Sequence, residues 1–112
     1  KLVSLAMPDF IMLFRGGTDP QKNFKNDRSW DAWMRALCQE STLISEGWCT
    51  DECYVVRGSS KSEANSGVGG PFDIVHGYLR VTCNSFNEAR QLSLKCPILR
   101  INGAVELRQL TP

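Results

Sequence analysis

Phe10-Ile11-Met12-Leu13-Phe14 is an unbroken apolar run, closed by Arg15, Gly16 and Gly17. Its short length and its glycine stop predict a strand rather than a helix. Strand side chains alternate between faces, so Phe10, Met12 and Phe14 point one way and Ile11 and Leu13 the other. A strand that is apolar on both sides belongs where both faces are buried. One face meets helices. The other needs a cover of its own.

The next clear strand is Val75 to Cys83, where Leu79, Val81 and Cys83 oppose Tyr78, Arg80 and Thr82. Between the two strands, Trp30, Trp33, Met34, Leu37, Cys38, Ser41 and Ile44 keep helical spacing and predict one apolar stripe. Asp27 or Ser29 can cap that helix, and Gly47 is a plausible stop. Thr18 to Asn26 reads as a loop. Glu52 to Arg57, with Cys53, Tyr54, Val55 and Val56, reads as a short strand. Gly58 to Gly70, rich in glycine and serine, reads as a flexible loop or hairpin tip. After Cys83, Ser85 and Glu88 form a capping box. Phe86, Ala89, Leu92 and Cys96 make the second helix's buried stripe, and Pro97 ends it. Ala104 to Leu110 is the last strand, with Val105 and Leu107 opposing Glu106 and Arg108.

The order is βαββαβ, which predicts an α+β domain of the ferredoxin-like type. Its two crossovers put both helices on one face of a four-stranded antiparallel sheet, with the first and third strands in the middle. The other face, carrying Ile11 and Leu13, is then a bare apolar patch of the kind that marks a partner surface. A homodimer through that open face would bury it, and two-fold pairing is the commonest solution.

The 112 residues suffice for one domain, assigned to 7–112, with Met7 read as a native start and Lys1 to Ala6 as an appended remnant or a disordered N-terminus. Composition is that of an ordinary globular protein, 42% hydrophobic and 22% charged. A net charge of +1 argues against duplex nucleic acid as a partner. No run is long and apolar enough for a membrane span, and no signal peptide is visible. Five cysteines, an odd number without a framework, fit reduced thiols in a cytoplasm. Cys38, Cys83 and Cys96 read as small core residues. Cys49 and Cys53 form a C-x3-C pair, but the sole histidine is far off in sequence, so no metal and no cofactor is expected.

His76 is the one side chain whose unperturbed pKa lies near neutrality. It is a candidate general acid or base, with Asp73 three residues earlier as its orienting partner. The alternative is a polar strand-end residue without chemistry. Arg15, Arg80 and Arg108 suit a planar anion, a carboxylate or phenolate, with Tyr78 beside them. Alternatively these arginines pair with Glu106 and other carboxylates across the dimer. Trp30 and Trp33 could wall an aromatic ligand, although helical spacing makes them core residues first.

Several short motifs occur in a particular order: Phe10-Ile-Met-Leu-Phe-Arg-Gly-Gly17, Gly69-Gly-Pro-Phe72, His76-Gly-Tyr-Leu79, Ser85-Phe-Asn-Glu-Ala89, Lys95-Cys-Pro-Ile-Leu99 and Gly103-Ala-Val-Glu-Leu-Arg108. Together they resemble the YCII-related family in its DGPF branch, over nearly the whole chain from Met7. The resemblance implies a ferredoxin-like fold that pairs into a dimeric α/β barrel, mostly among proteins without an assigned function. Some relatives look like lyases of chlorinated aromatic substrates, with a His–Asp pair as the proposed site. That pair does not carry over: Cys96 precedes the late proline where an aspartate is expected, and no histidine opens the first long helix. Gly70 and His76 also depart from the family's usual aspartate and glycine. The expected function is small-molecule binding in a cleft of the dimer, the alternative a cofactor-free lyase or isomerase using His76.

Overall fold

The central strand β1, Asp9–Gly16, alternates in burial as its sequence predicts, with Phe10, Met12 and Phe14 fully enclosed. In a computed structural model, described over residues 7–56, 58, 62–64 and 74–112, it is followed by the short helix α1 (Pro20–Asn23), helix α2 (Ser29–Glu40) and strand β2 (Thr42–Trp48). Next come β3 (Tyr54–Val56), β4 (Ser62–Ala64), β5 (Val75–Thr82), helix α3 (Phe86–Ser93), a 3₁₀ turn Pro97–Ile101, and β6 (Gly103–Gln109).

Four strands form one antiparallel sheet in the order β2-β5-β1-β6, while β3 and β4 pair separately as a small hairpin. The first strand and β5 lie in the middle, as expected. This order in a mixed α+β chain is compatible with a ferredoxin-like fold. Phe10, Met12, Phe14, Leu79 and Val81 cluster with Trp33 and Leu37 of α2 and Ala89 and Leu92 of α3. Both helices therefore cover the same sheet face. Enclosing a side chain such as Leu37 stabilises by about 1.5–3 kcal/mol, so this layer dominates the hydrophobic contribution. Trp33 is anchored as well as buried, its indole N–H donating to the Leu92 carbonyl at 3.0 Å.

The second sheet strand differs from the expected one. It is Thr42–Trp48, not Glu52 to Arg57, and α2 stops at Glu40 rather than near Gly47. Ser41 is already extended, and its hydroxyl donates back to the Leu37 carbonyl at 2.6 Å. A bulge between Leu43 and Ser45 then shifts β2 by one residue against β5. Leu43 pairs with Val81, whereas Glu46 pairs with Leu79, so the core-side residues change from odd to even numbers along this strand. The period-2 signal is broken there, and the helical stripe runs on through Ile44 by coincidence. Cys38 and Ile44, assigned to that stripe, are exposed.

Smaller corrections have simple causes. The loop Thr18 to Asn26 contains α1, started by Asp19, whose carboxylate accepts from the Gln21 N–H at 2.9 Å, and by Pro20 at the first helical position. Asp27 accepts from the Ser29 N–H at 2.8 Å at the entry to α2. Ser85 caps α3, accepting from the Glu88 N–H at 3.2 Å. Phe86 is largely exposed, and α3 ends at Ser93, before Pro97 opens the 3₁₀ turn. Among the described residues no helix is long and apolar enough to cross a membrane. The assignment of Lys1 to Ala6 and most of the loop Gly58 to Gly70 fall outside the described residues.

Candidate functional site

The sheet face turned away from the helices is built by register. Ile11 lies between Arg80 of β5 and Arg108 of β6, and Leu13 lies between Tyr78 and Glu106. Arg15 is one step further along β1, opposite Ala104. The fold thus brings Arg15, Tyr78, Arg80 and Arg108 onto one face around two half-buried apolar residues.

Charge on this face is arranged in two groups, each tying β1 to a neighbour. At one end Asp9 accepts from Arg80, with Nη2 at 2.6 Å and Nε at 3.2 Å, and from the Thr82 hydroxyl at 2.7 Å. The Thr82 hydrogen bond, then Arg80, holds the Asp9 carboxyl below its ordinary pKa. At the other end Glu106 accepts from Arg15 at 2.5 Å through one oxygen and from Arg108 through the other. The Arg108 hydrogen bond, reinforced by Arg15, likewise keeps Glu106 ionised below the usual range. The arginines therefore pair within one chain, where the sequence offered ligand binding or pairing across a dimer. A guanidinium has five N–H donors, so the single carboxylate partners of Arg80 and of Arg108 leave each of these two with capacity for an anion.

Tyr78 lies over Gly47: a Cβ placed there would meet Tyr78 Cε1 at 2.6 Å. Its ring thus covers the β2 backbone and walls one side of the face. His76 sits where β1 and β5 slip register, between the pairs Phe14–Gly77 and Arg15–Val75. Its Nε2 is 2.9 Å from the Gly16 carbonyl oxygen. A carbonyl only accepts, so Nε2 carries the proton and Nδ1 is the nitrogen left to take another. Asp73, its expected partner, lies outside the described residues.

The five cysteines are free thiols. Cys83 and Cys96 are buried, as expected; burial raises the Cys83 pKa and pushes that of Cys96 up to about 12. Cys49 and Cys53 are exposed, and among the described residues no three metal-ligating side chains gather. Sequence reasoning missed the roles of Asp9, the anchor of Arg80, and of Trp48, which stacks on Phe14 at 5.8 Å. Asp9 was legible only as a residue beside the apolar run, because its partners depend on register.

No protein-family model matches this chain, and no curated protein matches it.

Proposed function

We propose that this chain is a small-molecule-binding protein of the YCII/DGPF type. Two copies pair through the open sheet face into a dimeric α/β barrel, and the space between the sheets holds a small carboxylate or phenolate. The observation that supports this reading is the composition of the sheet face turned away from the helices. Ile11 and Leu13 form an apolar centre, and three guanidinium groups (Arg15, Arg80, Arg108) face two carboxylates (Asp9, Glu106) around it. The ordered motifs quoted above support the family assignment. Five free thiols support a reducing, cytoplasmic setting.

Sedimentation at micromolar concentration tests the pairing. A dimer is expected for the native chain and a monomer for Leu13→Arg, which places a charge at the centre of the joint. A native chain that stays monomeric and fully soluble overturns the dimer. For the ligand, the melting temperature is followed against a series of aromatic and aliphatic carboxylates and phenols, since binding to the native state raises it by mass action. Stabilisation lost in Arg108→Gln is expected, and a flat series overturns the anion site.

A second reading makes the protein a cofactor-free lyase or isomerase with His76 as general acid or base and Asp73 as its orienting group. The hydrogen bond to Gly16 favours it in one respect, because it holds the ring with Nδ1 as the proton acceptor. Once a turnover is found, His76→Ala is expected to slow it by about a hundredfold or more. An unchanged rate removes His76 from the chemistry and leaves it as a strand-end clamp.

A further inference from the structure

On the helix side of the sheet, opposite the face just described, an open groove of about 430 Å³ runs between α1, α2 and β2. Its walls include Phe24, Trp30, Met34 and Trp48, and its rim carries Asp31 and Glu46. The rings are the outer part of a larger cluster. Trp30 packs on Phe24 at 5.8 Å, on Trp48 at 5.4 Å and edge-on against the buried Trp33 at 5.2 Å. The core needs Phe14 and Trp33 to close it. Trp30 and Trp48 also pack on Phe14, at 5.0 and 5.8 Å, yet both stay half-exposed, and with Phe24 they bring three half-exposed rings to one rim.

The polar part of the lining is one-sided. Asp31 and Glu46 are exposed carboxylates that make no ion pair among the described residues, and no lysine or arginine lines the groove. Asp31 stands in the first turn of α2, where the helix dipole favours a negative charge, and Glu46 has no such role. Aromatic faces carry negative charge density and attract organic cations, indole most strongly. Carboxylates at the rim add attraction of the same sign. A neutral aromatic ligand would use the rings without the carboxylates, and an anion would be repelled by them.

We infer that this groove binds a small organic ammonium ion, with Trp30, Trp48 and Phe24 against its alkyl groups and Glu46 and Asp31 offsetting its charge. The test uses choline, together with its neutral carbon isostere 3,3-dimethylbutan-1-ol, each titrated at constant ionic strength. Binding is followed through the three tryptophan indole N–H resonances. Trp33 serves as an internal reference, since its N–H is engaged by Leu92. Choline is expected to saturate in the millimolar range or tighter and to move the Trp30 and Trp48 signals more than that of Trp33. The isostere is expected to bind at least about tenfold more weakly. The double variant Asp31→Asn, Glu46→Gln lies at exposed positions and is expected to keep the native spectrum while weakening choline by about three- to tenfold. Equal affinity for the isostere, unchanged affinity in the double variant, or no saturable shift each overturns the assignment.

Discussion

Gly17 is held in the left-handed region, with φ +64°, and a Cβ there would stand 2.3 Å from the Ile101 carbonyl oxygen and 2.7 Å from the Gly103 nitrogen. Neither neighbour is the end of a flexible side chain, so nothing can move aside cheaply. Gly17→Ala is expected to cost more than about 2 kcal/mol, combining the left-handed penalty with the clash. Urea denaturation measures this directly, and a loss below about 0.5 kcal/mol would mean that the β1 exit is looser than described. The thiols give a second expectation at this scale. Cys38, Cys49 and Cys53 are exposed, whereas Cys83 and Cys96 are buried and resist ionisation. A thiolate-selective reagent at pH 8 should modify three cysteines quickly and the remaining two only on unfolding. Rapid modification of all five would contradict the packing of α3 on the sheet. Of these facts, the glycine stop and the burial of Cys83 and Cys96 were legible in the sequence, because each follows from local period or composition. The exposure of Cys38 was not, because helical spacing alone does not say how wide a buried stripe is.

Among the elements, β1, β5, α3 and β6 follow from their sequences to within two residues, or three at the end of α3, because each has an uninterrupted period and a recognisable stop. The strand β2 does not, since the bulge between Leu43 and Ser45 erases its alternation and the preceding helix shares its apolar spacing. Signals for a strand were nonetheless present in Thr42, Ile44 and Gly47-Trp48, where β-branched residues and an aromatic follow a serine that ends the helix. The candidate face divides in the same way. Alternation places Tyr78, Arg80 and Arg108 together, but the partners of Arg80 and Arg108 emerge only once strands are set in register. The β2–β5 pairing can be checked through Gly47 and Tyr78, which are opposite each other. Gly47→Ala should cost about 1 kcal/mol in the native chain, because the Tyr78 ring has to leave the backbone it covers. In a Tyr78→Ala background the same change should be neutral or stabilising, since alanine is favoured over glycine within a strand by roughly 0.5–1 kcal/mol. Equal effects in the two backgrounds would show that the ring does not lie over Gly47.

Across the whole molecule, β1 is tied to both neighbours by carboxylates: Asp9 joins it to β5 through Arg80 and Thr82, and Glu106 joins it to β6 through Arg15. Asp27 is similarly engaged by Ser29 at the start of α2, its hydroxyl first and its N–H second. All three carboxyls are held below their ordinary values of 3.8 for Asp9 and Asp27 and 4.5 for Glu106. The unfolded chain therefore binds more protons than the folded one through this range, and stability rises with pH across it. The contribution is fully present above the ordinary carboxylate values and is lost as pH falls through the depressed folded values. These groups lie near the surface, so the loss should be gradual, though the hydrogen-bonded contacts should resist salt better than bare ion pairs. The urea midpoint is accordingly expected to be level from pH 7 to about 5 and to decline below about 4.5. The double variant Asp9→Asn, Glu106→Gln should start lower at pH 7 and show a shallower acid decline, since two of the three responding groups among the described residues are gone. Among the described residues the group left to respond is Asp27, so the decline should weaken again when Asp27→Asn is added. If instead the double variant falls as steeply as the native chain, the ties between β1 and its neighbours are not what acid removes, and the acid response lies in carboxylates elsewhere.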